Sequence, residues 1–391
     1  MNFYSLQFIF DEFPRRFPCR PASYALNFVL FTFVTSQVQC DEQNRVPRPN
    51  TASKLTLQEW QDVDVAVESG LRFLGQQQLK TGAFQAKRDN DPGISSLCVL
   101  AFLSRGHLPG QGPYGDRLSK AVEFLLSCQQ QDGLFARTRQ RFRATYSHGI
   151  TSLVVSELYG MSRFEDEARH RTAIEKALEF ASLRISQPKL LPEDEGGWRY
   201  LTRHGRKDSD LSVTSWHVMF LRSAKNSGFD VKVHLIDDAT TYIKRLYAPD
   251  AKTFQYSYHP TGQTEVELHR AMAGAGVLSM AMLGEHHSEF AKNAADFILD
   301  HPFDQYEKAT FPKEYLCYAA FYASVGMFQM GGEYWDRFYP KLVASILAAQ
   351  RPDGSWRPAE TRESQFGAEY MTAMTVLALT PPYQMLPIFQ R

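Results

Sequence analysis

Residues 121–135 read AVEFLLSCQQQDGLF, and the fold turns on how that stretch ends. Val122, Leu125 and Leu126 mark one apolar helix face. Gln129 then stands four residues before Gly133, and Phe135 follows two after it. Glycine is the residue that takes positive φ at a helix end. A glutamine amide placed there bonds backbone groups that the helix has released, and the aromatic ring packs over the turn. The same spacing recurs in GLRFLGQQQLKTGAF (70–84) and VASILAAQRPDGSW (343–356). A motif that returns near both ends of the chain signals tandem repetition.

Working outward, a period of about 50 residues appears beyond residue 62. Each unit opens with an amphipathic helix marked by a residue pair: Phe73-Leu74, Phe124-Leu125, Phe180-Ala181, Tyr242-Ile243, Phe297-Ile298 and Ser345-Ile346. Each continues with a more apolar helix that begins on small residues: ISSLCVLAFL (94–103), ITSLVVSELYG (150–160), VTSWHVMFL (213–221), AGAGVLSMAML (273–283), CYAAFYASVGMF (317–328) and MTAMTVLAL (371–379). Small side chains allow close helix approach, so the apolar helices form an inner ring and the amphipathic ones an outer shell. Strand signals are nearly absent. The expected fold is all-α, an (α/α)6 toroid of six helical hairpins over residues 63–383, with 384–391 as a C-terminal tail.

The Gln-x-x-x-Gly-x-aromatic pattern resembles the QW repeat of squalene cyclases. The six-hairpin arrangement is similar to the α/α toroid of terpenoid cyclases and protein prenyltransferase β-subunits. The first, second and sixth units carry the pattern, and the third inserts SQPKLLPEDE before Gly196-Gly197-Trp198. Prenyltransferase/squalene oxidase repeat proteins look closest. The resemblance implies a central cavity and directs attention to KDSDLSVTSWH (207–217), where squalene cyclases carry Asp-x-Asp-Asp with a proton-donating middle acid. Here Asp208 and Asp210 match only part of that motif. In one register Leu211 replaces the third acid, and in the other Ser209 replaces the donor. EYLCYAA (314–320) is similar to the Asp-x-Cys-Tyr stretch of the prenyltransferases, but Tyr315 stands where a zinc ligand belongs, so no metal is expected.

Superposing the units places polar residues just before the inner helices: His148, Asp210, Glu267 with His269, Glu314 with Tyr315, and Glu369 with Tyr370. Acids there cap helix N-termini, which is one reading of the pattern. A polar ring that transfers protons at the mouth of an aromatic pocket is the other, with Asp208, Asp210, His148, His269 and Glu267 as catalytic candidates. Two long insertions, PEDEGGWRYLTRHGRKDSD (192–210) and TFQYSYHPTGQTEVELH (253–269), mix aromatics with acids and histidine. Trp198, Tyr200, Tyr256 and Tyr258, together with Trp216, are the candidate ligand contacts, and Glu195 and His204 extend the acid–base set. Trp198 can equally play the packing role of Phe84 and Trp356.

Composition bounds the function. In 391 residues, 43 Lys plus Arg balance 43 Asp plus Glu, which removes the electrostatic argument for nucleic acid. ARTRQRFR (136–143) reads as a solvated loop. Five cysteines in so long a chain do not build a disulfide scaffold. Arg15, Arg16 and Arg20 precede the apolar stretch Tyr24 to Val34, which suits an export signal spanning 1–36 and is too short for a stable membrane span. Residues 37–62 read as a linker. The expectation is an exported, periplasmic or extracellular toroid that needs no cofactor and binds an apolar, isoprenoid-like or polysaccharide ligand. An acid-initiated terpenoid cyclase-like reaction and a carbohydrate-active lyase or hydrolase are the enzymatic alternatives.

Overall fold

The computed structural model describes residues 54–85, 92–137, 144–161, 167–203, 205–258, 269–311, 314–358 and 362–391. The export signal, the first part of the linker, and residues 138–143 of the basic run lie outside them.

Twelve α-helices are found among the described residues, and they alternate in character along the chain. The outer series comprises α1 (Leu57–Gln76), α3 (Gly115–Ser127), α5 (Glu167–Ile185), α7 (Val233–Arg245), α9 (Glu289–Asp300) and α11 (Gly332–Ala348). The inner series comprises α2 (Pro92–Leu103), α4 (Ala144–Met161), α6 (Leu211–Asn226), α8 (Arg270–Met282), α10 (Leu316–Met330) and α12 (Ala368–Leu379). Leu118, Ala121, Val122, Leu125 and Leu126 form a single buried stripe on α3, as an outer helix requires. Every residue of α2 is buried, because neighbours surround it on all sides. The inner helices pack in the order α2, α4, α6, α8, α10, α12, and α12 returns to α2, so the six hairpins close into a ring. At the tightest approach a Cβ on Gly274 of α8 would strike the backbone of α10 at Ala323, which is why that position is glycine.

The turn motif holds neighbouring hairpins together. Gln78 Nε2 donates to Gly82 O (3.0 Å) and to Arg117 O of α3 (2.8 Å). Gln129 repeats this to Gly133 O (3.2 Å) and Ala173 O of α5 (2.8 Å). Gln350 repeats it to Gly354 O (2.9 Å) and Ala66 O of α1 (2.8 Å), which joins the last hairpin to the first. The three glycines have φ of +90°, +87° and +86°. A Cβ on any of them would collide with a carbonyl oxygen of the next outer helix: Lys120, Lys176 and Ser69 respectively. In the third unit Gly196 sits on the Asp238 carbonyl in the same way, while the Lys189 ammonium bonds Gly197 O (2.9 Å) in place of the glutamine.

One boundary differs from the sequence reading. Helix α1 begins at Leu57, inside the stretch read as linker, because Thr56 and Glu59 form a reciprocal capping box. The C-terminal tail, 384–391, packs on the ring, with Leu386, Ile388 and Phe389 buried. Among the described residues no helix is long and apolar enough to cross a membrane.

The seam gives a direct test. Gly354→Ala strains a positive-φ turn and pushes a methyl against Ser69 O, and Gln350→Ala strips the donor from two carbonyls. Each is expected to destabilise the protein by about 1–3 kcal/mol in urea unfolding, against a negligible effect for exposed Lys80→Ala.

Candidate functional site

Alternation of outer and inner helices makes the inner ones parallel, so their N-termini meet at one mouth of the ring. Asp210 is the N-cap of α6, its Oδ1 accepting from Val213 N–H (2.8 Å). The two insertions converge on this point. Asp210 N–H donates to Trp198 O (3.1 Å), and Leu211 N–H donates to Tyr256 O (2.8 Å). The Tyr256 hydroxyl donates to Asp210 Oδ2 (3.1 Å), and Arg199 Nη1 lies 3.1 Å from the same oxygen. The Arg199 guanidinium stands over the rings of Tyr200 (4.8 Å) and Tyr256 (5.4 Å). Asp210 has no exposed surface. Burial raises its carboxyl above the ordinary range, and the Arg199 charge and the Val213 and Tyr256 hydrogen bonds oppose that rise.

A hydroxyl chain continues from α4 through α6 to α10. Tyr146 OH donates to Ser212 Oγ (3.1 Å), Ser212 and Tyr318 share a hydrogen bond (2.6 Å), and Tyr318 OH donates to Tyr322 OH (3.4 Å). Trp216 Nε1 donates to Tyr318 OH (3.0 Å) while its indole stacks on Phe321 (5.5 Å, 7°). Burial pushes the Tyr146, Tyr256, Tyr318 and Tyr322 phenols up, so each keeps its proton. Tyr146, Tyr200, Tyr256 and Tyr318 retain accessible surface, whereas Trp216 and Tyr322 beneath them have none. The mouth is thus walled by phenols and floored by Trp216, Phe321 and Tyr322.

Several candidates lie elsewhere. His148 has no exposed surface, and its Nδ1 accepts from Phe135 N–H (3.3 Å). Ser95, Thr214 and Thr372 accept from Phe84, Trp198 and Trp356 N–H in the same way, so His148 is the second unit's version of a turn-to-helix tie and not a proton-transfer group at the mouth. Trp198 is a packing residue: it stacks on His217 (4.9 Å, 13°) and donates Nε1–H to Ala181 O (2.9 Å). Trp216 offers a ligand no free surface. Asp208 turns away from Asp210, accepting from Leu190 N–H (2.7 Å) and Arg203 Nε (2.8 Å), so the two acids share no partner. Glu195 is exposed, and Tyr258 is half-buried. His269 holds the α8 N-cap position without a side-chain capping bond. Glu267 and His204 lie outside the described residues.

An ion pair and a cap occupy two further acids. Glu314 makes a two-pronged, fully buried pair with Arg270 (2.9 and 2.7 Å). Glu363, which the sequence reading missed, accepts from Cys317 N–H (2.8 Å) and Tyr318 N–H (2.9 Å) at the start of α10. Arg199, Tyr146, Ser212 and Tyr318 were also missed. A signal existed, because Tyr146, Tyr318 and Tyr370 each occupy the third position of an inner helix.

No protein-family model matches the chain, and no curated protein matches it in sequence. Solved structures do match. A single-residue variant of type II terpene cyclase MstE from Scytonema, in complex with its product merosterolic acid A, superposes at TM-score 0.57 with 14% identity over 85% of this chain and 100% of that one. The fold is an α/α toroid. The α-1,6-mannanase GH76A of Salegentibacter sp. HEL1_6, as an inactive variant in complex with α-1,6-mannotriose, matches at TM-score 0.59 with 10% identity over 81% of this chain and 99% of that one. A toroid of this kind therefore takes isoprenoid-derived and oligosaccharide ligands in different proteins.

The buried imidazoles give this toroid a pH signature. Burial holds His217 down to about 4 from an ordinary 6.5, and burial with the adjacent His217 holds His148 well below that value. The unfolded chain therefore takes up protons first. The stability contributed by these imidazoles is full above pH ~6.5 and falls as the pH drops towards 4, about 3 kcal/mol of it from His217. Urea unfolding should show it as a difference: His217→Phe, which keeps a ring against Trp198, should gain about 2–3 kcal/mol on the wild type between pH 7.5 and pH 4.5.

Proposed function

We propose that this toroid is an exported binding protein that holds an apolar, isoprenoid-like molecule at the tyrosine-walled mouth of its inner ring, without using Asp210 to start a reaction. The observation that carries the proposal is the engagement of the Asp210 carboxylate. Both of its oxygens already accept hydrogen bonds, from Val213 N–H and Tyr256 O–H, and a guanidinium lies alongside. In that ionised state it has no proton to give. Its protonated state, raised by burial, is a weaker acid than an ordinary aspartic acid. Protonating an alkene calls for a strong acid, so neither state suits cyclase initiation.

The walls favour an apolar body over a sugar polymer. Phenol faces offer apolar contact, and their hydroxyls orient an oxygen atom of the ligand. Glycoside hydrolysis normally calls for two carboxyl groups flanking one bond, whereas Asp208 and Asp210 face different partners. That MstE carries merosterolic acid A in a comparable toroid supports the same ligand class.

Calorimetry with geranylgeraniol and, separately, α-1,6-mannotriose tests the proposal. The isoprenoid alcohol should bind with a negative heat-capacity change, and Tyr146→Ala with Tyr200→Ala should weaken it about tenfold or more. After incubation the alcohol should be recovered unchanged. Saturable mannotriose binding, or a cyclised product that Asp210→Asn abolishes, would overturn it.

A further inference from the structure

The chain's last residues cross the other end of the ring, where the inner helices terminate. A 3-10 turn at Pro381–Tyr383 packs on α10 and α12, and the Tyr383 hydroxyl reaches Asp64 Oδ1 of α1 (2.5 Å) under the Arg105 guanidinium. Gln384 then turns the chain with φ of +50°, a costly conformation for a residue with a Cβ. A second turn, Pro387–Phe389, lands on α4 and α6. The Phe389 ring meets Phe321 of α10 (6.1 Å). Gln329 Nε2 donates to Phe389 O (2.8 Å) and Arg391 Nη1 to Phe328 O (2.8 Å). Residues 380–391 thus touch helices on several sides of the opening and form a strap over it.

One carboxyl fixes the middle of the strap. Glu157, near the end of α4 and 1% exposed, accepts from Ser223 Oγ of α6 (2.5 Å) and from Ile388 N–H of the strap (3.1 Å). Among the described residues no cation is paired with it. Arg222 and Lys225 lie on the exposed side of α6, and Arg391 is turned to the Phe328 carbonyl and ring. On α5, Glu167, Arg169 and Arg171 are exposed and His170 is buried, whereas the bonds of Glu157 run to α6 and the strap. Cys98 of α2 is directed to the Glu369 carbonyl.

We propose that the C-terminal strap is a pH-sensitive stopper on the far mouth of the toroid, seated while Glu157 is protonated and loosened when that carboxyl ionises. The physics is that of a buried charge with no cation beside it, whose desolvation outweighs the two hydrogen bonds from Ser223 and Ile388 that favour ionisation. Burial raises Glu157 from 4.5 to about 7, whereas lifting the strap admits water and returns it to the ordinary range. Seating is therefore tightest below pH ~4.5 and weakens as the pH rises to about 7. Phe321 stacks on Trp216 and meets Phe389 of the strap, so it joins the two sides, whereas the bonds of Glu157 run only to α6 and the strap.

Hydrogen exchange of the full-length protein, followed at the Ile388 and Phe389 amides, reads the equilibrium. After correction for intrinsic exchange, protection should fall about 100-fold between pH 5 and pH 8, and Glu157→Gln should hold the low-pH level throughout. Phe389→Ala should lower protection at every pH and leave the pH dependence in place, which separates simple loosening from titration. Wild-type protection that does not change with pH would overturn the proposal. So would a Glu157→Gln variant that keeps the wild-type pH dependence, which would assign the titration to another group.

Discussion

A glutamine amide wedged between a positive-φ turn and the carbonyl of the next outer helix is the contact on which the rest of this toroid depends. It ties the first and second hairpins to their successors and the sixth to the first, while the Lys189 ammonium takes its place in the third. Closure follows from Gln350 reaching Ala66 and from Gly354 fitting over Ser69, with Arg105, Asp64 and Tyr383 locking the same seam. Once the ring is closed, six parallel inner helices present their N-termini to one side and their C-termini to the other. The chemistry of the two mouths is set by that polarity.

At the N-terminal mouth, exposed peptide N–H groups select acids, and most of the acids there are consumed by that task. Asp210 caps α6, Glu363 caps α10, and Glu314 is neutralised by Arg270. What remains for a ligand is phenol: Tyr146, Tyr200, Tyr256 and Tyr318, each partly open. The site is therefore polar in hydrogen bonding yet contains no free charge among these groups, a combination suited to an apolar molecule bearing an oxygen. The far mouth differs, since C-termini offer carbonyls. Its donors come from the strap: Arg391 and the Ile388 amide, together with Gln329 of α10.

The fold was legible because its determinants are local. Gln129, Gly133 and Phe135 lie within seven residues, and helix period and small inner residues repeat visibly. The site was only half legible. Asp210, Tyr200 and Tyr256, which the fold brings together, drew notice because the insertions that carry them stand out from the repeat. His148 was misread because a histidine replaced the serine or threonine that makes the same bond in other units. Ser212 and Glu363 could not be ranked, since their partners lie in other units, at separations that no motif spans; Arg199 pairs with Asp210 inside one insertion, but no periodic pattern marks it. The strap was hidden for a related reason: Leu386, Ile388 and Phe389 have no periodicity, and only the closed ring gives them a surface to bury against.

The protonation state of Asp210 carries the functional reading, and infrared difference spectroscopy between the wild-type protein and Asp210→Asn at neutral pH reports it directly. The account predicts that the wild type loses a carboxylate band on substitution and shows no protonated-carboxyl band belonging to Asp210. A protonated carboxyl that disappears with Asp210→Asn would contradict it, and would return this toroid to the acid-initiated chemistry that its geometry argues against.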